Sequence, residues 1–259
     1  MALGPYARLD LSGRVIIVTG GASGIGEAAS LLIAARGAAV VVADLDNQGG
    51  ERVVAEIQAA GGRARYIRTN VSQESDIEEM VRFAVSEFGG LHGAFNNAGL
   101  TSKGAAMAEM PIANWQQMIA VNLTGVFLCM KHEIAYMLRN GGGSVVNTSS
   151  GAGVVGFPNV SDYAAAKHGV VGLTRAAAVD YSAKGIRVNT ILPGGVDTPM
   201  LRHAMGQDPI VRDAVAKGHP IGRLAQASEL AEAAAFLLSD AASFVTGAAF
   251  AVDGGYTCQ

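Results

Sequence analysis

Short apolar, β-branched runs alternate with helix-length segments along most of this chain, and that alternation constrains the fold more than any other feature. "RVIIVT" (14–19), "AAVVVAD" (38–44), "ARYIRTNV" (64–71), the start of "LHGAFNNAG" (91–99), "GSVVNTSS" (143–150) and "IRVNTILPG" (186–194) read as strands. Between them lie "GIGEAASLLIAARG" (24–37), "NQGGERVVAEIQAAGG" (47–62), "ESDIEEMVRFAVSEFGG" (74–90) and the segments 113–138 and 161–183, which read as helices. Glycines close the first three helices, and acidic residues open the third, where they complement the helix dipole. Strands separated by helices at this spacing predict a parallel sheet covered on both faces. Connections are short and no linker or repeat divides the chain, so residues 1–259 are expected to form a single domain. Segment 194–222, rich in Gly and Pro and without a clear period, follows a strand's carboxyl end and is expected to act as a lid over a ligand.

Composition narrows the function. Half of the 259 residues are apolar and 16% are charged, as in a well-buried globular protein. The net charge of −3 and the lack of a basic run argue against nucleic acid as a partner. The opening "MALGPYARLDLSGR" lacks a leader's apolar core, and no uncharged stretch is long enough to span a bilayer. Cys129 and Cys258 lie far apart without metal-ligand spacing, so neither a disulfide framework nor a zinc site is expected. A reducing cytoplasm fits this pattern.

"TGGASGIG" (19–26) joins the first strand to the first helix. Gly20, Gly24 and Gly26 would let the turn tighten and a pyrophosphate approach the backbone at the helix N-terminus. A purely structural turn is the alternative. Asp44 ends the second strand, where a dinucleotide fold places a carboxylate near the adenosine ribose. It would accept from both hydroxyls and repel a 2′-phosphate, so NAD is favoured over NADP. An ordinary turn aspartate is the competing reading.

In "SDYAAAKHG" (161–169), Tyr163 and Lys167 fall one helical turn apart with only alanines between them. An adjacent ammonium favours the phenolate, and a phenol tuned toward neutrality can exchange a proton with a ketone or an alcohol. A half-buried tyrosine beside a solvated lysine is the bland alternative. Ser150, at the end of the fifth strand, is placed to orient a substrate oxygen, with Ser149 as its competitor. Asn122 falls mid-helix, an unfavourable position unless its side chain or backbone has a task. His168 should point away from the chemistry, and His92, His132, His203 and His219 form no ligand cluster. Met107, Met200, Leu201 and Met205 are candidates for an apolar pocket or for ordinary core.

Together these residues resemble the short-chain dehydrogenase/reductase family over essentially the whole chain. The matching motifs, in order, are "TGGASGIG", "NNAG" (96–99), "VN" (121–122), Ser150 with "YAAAK" (163–167), "PGGVDT" (193–198) and "VDGG" (252–255). The resemblance implies a doubly wound, Rossmann-type sheet of seven parallel strands and a nicotinamide cofactor. It implies that Tyr163 is the acid/base and Ser150 positions the substrate oxygen. Lys167 would hold the nicotinamide ribose and lower the phenol's pKa, and Asn122 would support a water on the proton path. The implied cofactor-binding set is Gly20, Ser23, Gly24, Ile25, Gly26, Asp44, Asn70, Val71, Asn97, Ala98, Gly99, Tyr163, Lys167, Pro193, Gly194, Val196 and Thr198. The family often carries Asp where this chain has Asn70, whose amide can still accept from an adenine amino group.

These readings predict an NAD-dependent dehydrogenase of a neutral secondary alcohol, or the reverse ketone reductase, with no metal. "GAGVVGFP" (151–158) supplies an apolar wall including Val155 and Phe157. "GVFLCMK", "AKHGVVGLTR" and "SDAASFVTG" look most like bacterial members acting on cyclic alcohols and diols. A 3-oxoacyl-thioester reductase is the alternative, disfavoured by Asp44 and by the lack of a basic patch for a carrier protein. A scaffold without catalysis is a further one, disfavoured by the intact Asn122, Ser150, Tyr163 and Lys167. Such proteins commonly form homotetramers through the two long helices, and the alanines at 176–178 would permit close packing.

Overall fold

The computed structural model describes residues 7–206 and 208–258. Residues 1–6, where the leader reading begins, and Gln207, inside the expected lid, lie outside the described residues.

Seven strands form one sheet in the order β3-β2-β1-β4-β5-β6-β7, with every pairing parallel. They are β1 (Val15–Thr19), β2 (Ala39–Asp44), β3 (Arg63–Arg68), β4 (Gly93–Asn96), β5 (Gly143–Thr148), β6 (Ile186–Pro193) and β7 (Ala249–Val252). Side chains alternate across a strand, and on β1, β2, β4 and β5 both faces are buried. Ile16, Val18, Val40 and Val42 pack under α1 (Gly24–Ala35), α2 (Asn47–Ala59) and, further along the chain, a helix at Ala227–Leu238. Ile17, Val41 and Val145 face α3 (Glu74–Phe88) and two long helices on the other side. This doubly wound, single-domain sheet is the fold the alternating pattern predicts.

The first long helix is not continuous. It runs as α4 (Ile112–Ile119), one π-helical turn (Ala120–Thr124) and α5 (Gly125–Met137). Its stretch Ile112–Met137 is long and apolar enough to cross a membrane by length and composition, but half of its most apolar window is buried on the sheet. The second long helix, α6, spans Ser161–Tyr181.

Segment 194–222 holds two short helices, α7 (Pro199–Ala204) and α8 (Pro209–Lys217), which the sequence reading leaves as irregular chain. The reading also passes over α9 (Ala227–Leu238), although Gln226 and Glu229 form a capping box at its start. β7 is four residues long and half-exposed, too short for a period to register.

Candidate active site

Strand order reverses between β1 and β4, and a parallel sheet opens a crevice at the carboxyl ends of its strands there. Thr19 and Asn96 are register partners at that point. The Thr19 hydroxyl oxygen accepts from the backbone N–H groups of Asn97 (3.0 Å) and Ala98 (3.1 Å), tying the two strand ends together.

The glycine loop lines this crevice. Gly20 and Gly24 have φ of +65° and +56°, which side chains rarely adopt. A Cβ on Gly20 would lie 2.8 Å from Ala98 Cα, and one on Gly26 would lie 2.0 Å from the Gly20 carbonyl oxygen. Ser23 precedes α1 in extended backbone, makes no side-chain cap and is exposed. The first N–H groups of α1 thus open on a cradle built of glycines, with Ile25 half-buried behind it. That cradle fits a pyrophosphate.

Asp44 stands at the end of β2. One carboxylate oxygen accepts from Ala22 N and the other from Asp46 N, both at 3.0 Å, which fixes the carboxylate beside the loop with lone pairs to spare. Asn70 is less open than the sequence suggests. Its side-chain oxygen already accepts from Ser72 N (3.1 Å) and Ser72 Oγ (2.8 Å), so its amide nitrogen is the group left to a ligand. Val71 is buried among the residues under α5.

The π turn explains Asn122. Its fully buried side chain accepts from Leu100 N and donates to Leu100 O, each at 2.8 Å, pinning the chain after "NNAG". A π turn also disrupts the regular helical hydrogen-bond ladder, as functional sites often do. Gly99 sits over this junction: a Cβ there would be 3.3 Å from Asn122 Oδ1 and 3.8 Å from Lys167 Nζ.

Tyr163 and Lys167 share one face of α6. Lys167 is buried, donates to the Thr148 carbonyl at 2.8 Å, and its Nζ stands 5.6 Å from the centre of the Tyr163 ring. Burial brings its pKa down to about 8. Ser150 Oγ accepts from Ala152 N at 3.2 Å, while Ser149 donates to the Lys167 carbonyl at 2.8 Å. The two serines therefore face different partners. Burial pushes the phenol above its ordinary pKa, and the polar Ser150 side chain nearby opposes that rise. The sequence reading expects the neighbouring lysine to lower the phenol. That lowering is expected with oxidised nicotinamide bound; in the chain alone, desolvation of the phenol dominates.

The end of β6 closes the crevice. Pro193 is its last residue, and Val196 bridges to Ala225. Thr198 caps α7 and reaches the loop, 3.2 Å from where a Gly24 Cβ would stand. The sequence reading gives His219 no part here, yet it is buried against Gly194 and Gly195. Its Nε2 accepts from Gly195 N at 2.8 Å while Nδ1 lies 2.7 Å from the Val215 carbonyl, so the neutral Nδ1–H tautomer fastens α8 to this segment. "GHPIGR" carries no periodic signal for such a contact. His168 is exposed and bonds Ala164 O, and Met107 and Met200 are exposed as well. Among the described residues, Glu74, Glu78 and His132 bring ligand atoms within 4.8 Å of one another on the outer surface of α3 and α5, where Lys131 already pairs with Glu74.

A doubly wound sheet with a glycine-built phosphate cradle and a serine, tyrosine and lysine at the adjoining strand end defines a dinucleotide-dependent oxidoreductase. The family profile described as Enoyl-(Acyl carrier protein) reductase matches residues 20–257. The chain is 52% identical to a 2,5-dichloro-2,5-cyclohexadiene-1,4-diol dehydrogenase of Sphingobium indicum, over 96% of this chain and 98% of the relative. It is 46% identical to a cyclohexanol dehydrogenase of Acinetobacter sp., over 95% and 96%. The structure of a 3-ketoacyl-(acyl-carrier-protein) reductase from Brucella melitensis complexed with NADH superposes with a TM-score of 0.89 at 34% identity, covering 96% of this chain and all of that one. The chain belongs to the short-chain dehydrogenase/reductase family, and its relatives include dehydrogenases of cyclic alcohols and diols.

Proposed function

We propose that this protein transfers hydride between NAD(H) and a neutral secondary alcohol or ketone, cyclic in its natural substrate. The observation that carries this reading is the pairing of Tyr163 and Lys167 on one face of α6, with Lys167 held against the Thr148 carbonyl two residues before Ser150. The bound nicotinamide supplies the hydride acceptor or donor. Tyr163 moves the proton: its phenol gives one to a ketone oxygen, and its phenolate takes one from an alcohol. Ser150 donates to the same substrate oxygen and fixes its orientation. Lys167 and Asn122 support the proton path behind the phenol, and Lys167 binds the nicotinamide ribose. Gly20, Ser23, Gly24, Ile25 and Gly26 cradle the pyrophosphate, Asp44 binds the adenosine ribose, and Asn70 and Val71 meet the adenine. Asn97, Ala98, Gly99, Pro193, Gly194, Val196 and Thr198 surround the nicotinamide end. Segment 194–222 closes over the substrate.

Val155 and Phe157 contribute an apolar wall, and the Phe157 ring stacks on Tyr256 with centroids 5.4 Å apart, a flat surface suited to a ring substrate. Turnover of cyclic and open-chain secondary alcohols, followed by NADH and NADPH absorbance with a 3-oxoacyl thioester in the same panel, tests the assignment. Preference for the thioester would favour the carrier-protein reductase reading, which the likeness to an NADH-complexed 3-ketoacyl reductase keeps in view.

Asp44 sets the cofactor preference. Its carboxylate repels a 2′-phosphate, so Asp44→Ala should raise kcat/KM with NADP relative to NAD by about 10-fold. An unchanged ratio would remove Asp44 from that role.

A homotetramer built on α5 and α6 fits the exposed Phe127 and Val179 on those helices. Light scattering should give four times the chain mass. The free thiols Cys129 and Cys258 fit a reducing, cytoplasmic location.

A further inference from the structure

Glu133 lies on α5 and is fully buried. Its Oε2 accepts from Asn96 Nδ2 at 3.0 Å, and the same nitrogen donates to Asn147 Oδ1 at 3.1 Å. Asn147 in turn donates to Thr174 Oγ1 on α6 at 3.0 Å. Among the described residues, the buried side-chain atoms without a hydrogen-bond partner are Arg36 Nη1, Asn96 Oδ1 and Glu133 Oε1. Two of these are acceptors on side chains already bonded to each other. A buried acceptor left unpaired is costly, and an unpaired buried carboxylate is costlier. One proton on Glu133 removes the charge and turns an orphaned acceptor into a donor.

We propose that Glu133 is a positioning residue that stands as the neutral carboxylic acid in the working enzyme and clamps the carboxyl ends of β4 and β5 through Asn96 and Asn147. Those ends carry the site. Asn97 follows Asn96, and the carbonyl of Thr148, next to Asn147, seats Lys167. Loss of the proton would put a bare charge into the core between the two strands. Burial raises the Glu133 pKa to about 7, and no charged group on β4, β5 or α6 offsets it. Cys129, one turn back on α5, is the neighbouring titratable group, and burial holds its thiol neutral. The effect on binding and turnover rests on the function proposed above; the protonation state does not.

Infrared spectroscopy of the whole protein tests the protonation directly. At neutral pH the wild type should show the carbonyl stretch of a buried carboxylic acid, and Glu133→Gln should lack it. Absence of that band in wild type until acidic pH would overturn the proposal. Calorimetric titration with NAD tests the clamp. From mildly acidic to mildly alkaline pH, wild-type affinity should fall about 5-fold more than that of Glu133→Gln, which mimics the neutral acid at every pH. Equal pH dependence in the two proteins would overturn the positioning role even if the band were present.

Discussion

Tyr163→Phe should lower kcat by about 1,000-fold while leaving NAD affinity within about twofold of wild type. The substitution keeps the ring and deletes only the hydroxyl. Because the phenol's proton moves in the transition state, its loss should appear in kcat and not in dinucleotide binding. Steady-state rates beside a binding titration separate the two effects. Ser150→Ala should fall less, since it orients the oxygen without exchanging its proton. A Tyr163→Phe enzyme with near-normal turnover would refute the assignment of the acid/base. No turnover in wild type with any alcohol, ketone or thioester would revive the scaffold reading.

Gly26→Ala should nearly abolish dinucleotide binding and destabilise the fold by about 2 kcal/mol or more. The added methyl would sit 2.0 Å from the Gly20 carbonyl oxygen and 2.7 Å from its carbon, and Asn97 Nδ2 would be 2.8 Å away. Two of those atoms are backbone in the loop itself, so the cradle must open to admit the methyl. Gly156→Ala is the matched control, because nothing lies within 4 Å of its Cβ position and its φ is not positive. Urea melts with and without NAD should show a large loss for Gly26→Ala and almost none for Gly156→Ala. Similar behaviour of the two would mean that the loop is not the tight cradle described above.

Much of this fold is written locally. β1 is an unbroken β-branched run and β2 holds three consecutive valines, as strands buried on both faces do, and Gly89 ends α3 in the left-handed conformation, as its position suggests. The π turn at Ala120–Thr124 was visible only as a misplaced asparagine. Its cause lies 22 residues back, in the Leu100 backbone, where no periodic pattern reaches. Tyr163 and Lys167 stand out by their spacing, whereas Ser150 is told from Ser149 only by the family resemblance. The balance between them could not be read, because the phenol's pKa depends on how far the assembled site excludes water. His219 and Glu133 were missed for the same reason: each acts through tertiary partners on other elements.

Tyrosinate absorbance, recorded against pH as wild type minus Tyr163→Phe, tests the central claim most directly. In the free protein the Tyr163 phenol should titrate above the ordinary tyrosine range, since burial raises it. Saturation with oxidised NAD adds positive charge to the site and should bring the transition down by about two units or more. A difference spectrum that titrates at the same pH with and without NAD would contradict the account.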